Sequence, residues 1–110
     1  MATISNLYID QGTTFNTVVD LANQDGTAMD LNGYQVSAQM RKSYQSSSAY
    51  NFVSTVEDAT NGQIKLSLAP GTSSSMQAGR YLYDVEIENT VGDVFRVLQG
   101  IAVITPEITR

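Results

Sequence analysis

Asp84, Glu86 and Glu88 alternate with Tyr83, Val85 and Ile87, and period-two alternation puts all three carboxylates on one face of a strand. Successive carboxylates there stand about 6.5–7 Å apart, a separation at which an acid and a base could flank a glycosidic bond. General-acid work also needs a carboxyl whose pKa burial has raised, and a wet strand face supplies none. A solvated outer face with cross-strand pairing to Arg96 accounts for the trio better. Calcium is the alternative, because hard cations take carboxylate and turn oxygens, but the sequence has no Asp-x-Asp-x-Asp-Gly loop. With no His and no Cys, the common general base and the thiolate nucleophile are missing, and His-ligated and thiolate metal sites are excluded. A Ser–Lys pair using Lys42 or Lys65 is arithmetically available, yet nothing around either lysine would lower its pKa. No catalytic, cofactor-binding or metal-ligating residue is assigned, and the expectation is a protein that is not an enzyme.

Four Gly-containing dipeptides, Asp25-Gly26, Asn32-Gly33, Asn61-Gly62 and Gly92-Asp93, look like fragments of phosphate or calcium loops. None has the strand-to-helix context or the Lys that phosphate cradling uses. They read as turns, Gly33 and Gly62 supplying backbone conformations that other residues disfavour.

The chain has 110 residues, the size of one domain, expected to run from 1 to 110. Six basic against eleven acidic residues give a net charge of −5, which repels phosphate backbones and argues against nucleic acid as a partner. The start MATISNLYID lacks a charged stretch followed by an apolar core, and no apolar run approaches the roughly 18 residues of a membrane span. The expectation is a soluble product, with no membrane partner and a core held by packing without disulfides.

Period-two alternation punctuated by Gly with Asn or Asp dominates the sequence. Strands are predicted over Thr3 to Ile9, Thr14 to Leu21, Ala28 to Leu31, Tyr34 to Arg41, Phe52 to Val56, Gln63 to Leu68, Arg80 to Glu88 and Val94 to Thr105. A polar, serine-rich loop fills Lys42 to Tyr50, and Thr72 to Gln77 suits a single helical turn anchored by Met76. That is an all-β pattern: an immunoglobulin-like antiparallel β-sandwich of about seven to nine strands, with no disulfide. In such sandwiches a Tyr opens the penultimate strand two residues before the second Cys position and bonds back to the preceding corner. Tyr81 follows Gly79 at that place, and Tyr83 takes the Cys position, where a large ring could fill the space of a disulfide. The competing reading is an ordinary alternating strand whose aromatics suit the pleat. Around the serine-rich loop, Tyr44, Tyr50 and Phe52 have the composition of adaptable contact surfaces, set against half-buried packing of Tyr50 and Phe52.

The ordered set Gln11-Gly12, Asp25-Gly26, Asp30-Leu31-Asn32-Gly33-Tyr34, Arg41-Lys42, Asn61-Gly62 and Ala78-Gly79-Arg80-Tyr81-x-Tyr83-Asp84, closing with GIAVITPEITR, resembles a group of bacteriophage structural modules. These are small tail-associated proteins of tailed phages and the N-terminal domain of siphophage baseplate upper proteins. The resemblance implies a virion protein, made in the host cytoplasm and free of cofactors. Its implied partners are other virion structural proteins and copies of itself in a symmetric assembly. It makes Gly33, Gly62 and Gly79 turn positions and Tyr81 the corner. The chain ends after one domain, so the receptor-binding or coiled-coil parts of the longer proteins are not expected. Residues 1–10 and 106–110 are expected to serve as extended assembly arms, and Ile4, Leu7, Tyr8, Tyr44, Tyr50 and Ile108 are the candidate contacts. The leading expectation is a tail, neck or baseplate module. A head decoration protein of the same fold is the alternative, and a carbohydrate-binding module is the alternative of another class. The last would need exposed coplanar aromatics, which a chain with no Trp and six Tyr supplies poorly.

Overall fold

The computed structural model describes residues 3–108. In chain order the elements are β1 (Thr3–Ile4), β2 (Leu7–Asp10), β3 (Phe15–Asp20), β4 (Gln35–Arg41), β5 (Tyr50–Asn51), β6 (Val53–Asp58), β7 (Gln63–Leu68), α1 (Pro70–Ser75), β8 (Gly79–Glu88) and β9 (Val94–Thr105). The larger sheet runs β1-β9-β8-β4-β5, with β2 also on β9, and the smaller runs β3-β7-β6.

In immunoglobulin lettering, β3, β7 and β6 are B, E and D, and β4, β8 and β9 are C, F and G. The expected sandwich is therefore present, with one departure from purely antiparallel pairing. Both β1 and β2 run parallel to β9, with Ile4 opposite Gln99 and Ile9 opposite Ile104. The first strand has joined the larger sheet and left the outer edge of β3 without a strand partner among the described residues.

Alternation decides burial. On β7 Ile64, Leu66 and Leu68 face in, and on β8 Tyr81, Tyr83, Val85 and Ile87 do so. They meet Ile9, Met40, Leu98 and Ile104 in a single core cluster. Where an inter-sheet disulfide would cross, aromatic rings span the gap: Phe15 of β3 lies 6.3 Å from Phe52, and Phe52 lies 6.2 Å, edge-on, from Tyr83. Such pairs add about 0.5–1.5 kcal/mol each beyond their buried area. Phe52 sits between β5 and β6, where the chain leaves one sheet for the other, and its N–H donates to the Ala38 carbonyl at 3.0 Å. That crossover is why the expected strand Phe52 to Val56 starts one residue later.

Two expectations are corrected. Ala28 to Leu31 is not a strand: only an isolated bridge joins Ala22 to Ala28. Leu31 is instead a buried plug whose N–H donates to the Ala59 carbonyl at 2.8 Å. The helical turn forms two residues earlier than predicted, because Pro70 suits the first helical position.

Candidate functional site

Asp84, Glu86 and Glu88 do share the outer face of β8. Asp84 pairs with Arg96 at 3.2 Å across the strands, as the outer-face reading requires. None of the three carboxyls is buried, so the face lacks the desolvation a general acid needs. No group of three or more His, Cys, Asp or Glu is placed to hold a metal ion among the described residues. Lys42 lies over the Tyr81 ring, 4.7 Å from its centroid, and is exposed. That is a cation–π contact.

Tyr81 closes the corner after α1. Its hydroxyl donates to the Gln77 carbonyl at 2.9 Å, and burial, reinforced by neighbouring Tyr50, holds the hydroxyl pKa above the ordinary tyrosine value. Gly79 leads in with φ +133°, a conformation open to glycine. Tyr83 uses the same group over a much longer range. Its hydroxyl donates to the Ser5 carbonyl, 78 residues away in sequence, and burial again raises its pKa. The contact pins the kink between β1 and β2. At that kink Asn6 Oδ1 accepts from the Ile101 N–H at 3.2 Å, replacing a ladder bond. Gly100 makes the kink possible, since a Cβ there would stand 2.0 Å from the Ser5 carbonyl oxygen.

Sequence reasoning missed this latch and a second one. Ser73, the buried polar residue of α1, donates to the Thr13 carbonyl at 2.9 Å and accepts from the Gly12 N–H at 3.1 Å. Gln11 donates to the Met76 carbonyl at 2.8 Å and accepts from the Glu107 N–H at 3.1 Å. Only the Gln11-Gly12 break was visible, because a Ser within a serine-rich run gives no sign of being the buried one.

The proposed contact residues scatter. Ile4, Tyr8, Tyr44 and Ile108 are exposed, Ile108 at 94%, while Leu7 and Tyr50 are half-buried against the core. Residues 3–10 are not free arms: they add to the chain's own β9, and Ile9 is completely buried. The parts of both expected arms at residues 1–2 and 109–110 lie outside the described residues. What the fold does gather is an open groove of about 780 Å³ on the outer face of the larger sheet, lined among others by Ile4, Gln39, Arg41, Tyr44, Leu82 and Arg96.

No protein-family model and no curated protein matches the sequence. Among solved structures the chain is similar to the N-terminal domain of phage TP901-1 ORF48, with TM-score 0.60 and 15% identity over 91% of this chain and 84% of that one. At that identity the likeness establishes the fold. Weaker likenesses are to the Listeria monocytogenes internalin-like protein lmo2027, TM-score 0.45, 15% identity, 96% of this chain and 28% of that one. A family 123 glycoside hydrolase from Clostridium perfringens follows, TM-score 0.44, 11% identity, 97% of this chain and 24% of that one. In both cases this chain spans under a third of the other protein, and neither likeness carries functional weight.

Proposed function

We propose that the protein is a non-enzymatic bacteriophage virion component, a tail, neck or baseplate module that works through protein–protein contacts with other virion proteins and with copies of itself. The observation that carries this reading is the whole-domain likeness, over 91% of the chain, to the N-terminal domain of a phage protein. The ordered sequence motifs that resemble phage tail modules support the same assignment.

The site geometry is consistent with that work. A sandwich whose corner, N-terminal kink and helical turn are each hydrogen-bonded into place presents a fixed surface, and fixed surfaces bind with little ordering cost. In a symmetric particle each contact is repeated, so a modest interface per copy suffices for stable attachment. Quantitative proteomics of gradient-purified particles from the producing phage tests the reading. The chain should be present at a low copy number set by tail symmetry. A copy number matching the capsid subunits would transfer the protein to the head surface, and absence from the particles would remove the virion role.

A further inference from the structure

We propose that the outer face of the larger sheet is a self-complementary surface through which two copies of this chain pair about a two-fold axis. The proposal deepens the proposed function by naming a surface and a partner, but its test needs no virion.

The register of the sheet fixes which residues share a row across it. Arg80 lies at one end of the β8 outer face and Glu86 and Glu88 at the other. Arg41 of β4 stands opposite Leu82, within the basic half. The centre row holds Gln39, Asp84, Gln99 and, on β1, Ile4. Asp84 is neutralised there by Arg96. Arg96 stands opposite Glu86 but reaches back to Asp84, and Asp10 of β2 lies outward beyond the Arg80 row. Between those limits the face carries Arg41 and Arg80 in one half and Glu86 and Glu88 in the other, with the Asp84–Arg96 pair between them, although the chain as a whole is acidic.

A two-fold axis lying between two such faces, along the centre row and perpendicular to the strands, reverses the strand direction of the second copy. It brings Arg80 of each copy over Glu88 of the other, and Arg41 within reach of the other's Glu86. Residues on the axis meet themselves, so Ile4, 74% exposed in the single chain, packs on its own symmetry mate. This is the isologous arrangement that a self-complementary patch produces. Aligned sheets pack face to face about 10 Å apart, close enough for these side chains to interdigitate. From strand spacing and rise, the face spans about 19 Å by about 26 Å between outer strand axes. With the outer strands β1 and β5 only two residues long, its footprint falls well short of the about 800 Å² per partner of standard interfaces. The pairing is therefore weak in solution and is strengthened by repetition in an assembly.

Sedimentation velocity on the full chain up to millimolar concentration tests it, together with nuclear magnetic resonance shifts followed over the same range. The expected result is a monomer–dimer equilibrium that weakens as salt rises, with concentration-dependent shifts on the outward residues of β1, β4, β8 and β9. Reversing the acidic end (Glu86→Arg with Glu88→Arg) or the basic end (Arg41→Glu with Arg80→Glu) should each weaken self-association about tenfold or more, through like-charge contact. Mixing the two variants should restore a dimer, which misfolded variants could not do. A wild-type chain that stays monomeric throughout overturns the proposal and leaves the virion reading standing. So does a dimer whose shifts fall on other elements, or one that neither reversal weakens.

Discussion

At Tyr81 and Tyr83, neighbours on the inward face of β8, a buried ring and a satisfied hydroxyl are combined in two ways. Tyr81 bonds locally to Gln77 and fixes the corner, whereas Tyr83 bonds to Ser5 and fixes the chain's beginning to its sheet. Tyr81→Phe keeps the ring and removes one hydrogen bond to the carbonyl of exposed Gln77, so chemical denaturation should show a loss of about 0.5–1.5 kcal/mol. Tyr83→Phe should cost somewhat more, about 1–2 kcal/mol, because its hydroxyl lies deeper than that of Tyr81. Both hydroxyls have pKa values raised by burial. The stability they contribute is thus complete below about pH 10, the unfolded value, and is lost as pH rises through the folded values. Alkaline unfolding followed by tyrosinate absorbance should lose this limb in the double Phe variant. Asp25 and Asp30 act at the other end of the scale. Hydrogen bonds from Thr27 and Asn32 lower their pKa values, so their contribution is present above the ordinary carboxylate range and fades as pH falls through the folded values.

Among the elements, the least self-sufficient are the ones that side-chain bonds hold. The short helix α1 is anchored by Met76 and by Ser73, whose hydroxyl serves both Gly12 and Thr13. Ser73→Ala leaves the Gly12 N–H without that partner and should cost about 1–3 kcal/mol in denaturant unfolding. The parallel strands β1 and β2 depend on Gly100. Gly100→Ala should lift the Ser5 kink and selectively speed amide exchange over residues 3–10, with β7 and β8 protected as before. Unchanged exchange there would remove Gly100 from the kink. Strands with clean alternation and a turn at each end were legible in the sequence: Gln63–Leu68 and Val94–Thr105 match the structure to the residue. Ala28 to Leu31 was misread because a buried Leu beside polar residues looks the same in a plug as in a strand. The direction of the first strand was not legible at all, since period-two alternation is identical for parallel and antiparallel neighbours. Nor could Ser5 and Gly100 be paired by any local rule, the two lying at opposite ends of the chain.

On the scale of the whole molecule, attachment of the N-terminal strands to β9 changes how assembly should be probed. Deleting residues 1–10 removes completely buried Ile9 and half-buried Leu7 along with a strand edge. Burying an Ile side chain is worth about 1.5–3 kcal/mol, so the truncation should lower the melting temperature as well as any assembly. Exposed Tyr8 and Tyr44 are better probes. Tyr8→Ser and Tyr44→Ser should leave the melting temperature nearly unchanged, and any loss of particle incorporation then reports on contact alone. The candidate contact residues were only partly legible, because composition marks an aromatic as useful for contact without telling which side of a half-buried strand it occupies.

Immunogold electron microscopy of particles that contain the chain, using antibody raised against it, decides most directly whether it is a tail-side virion module. Label confined to the tail, neck or baseplate is the predicted result, and label distributed over the head would contradict it.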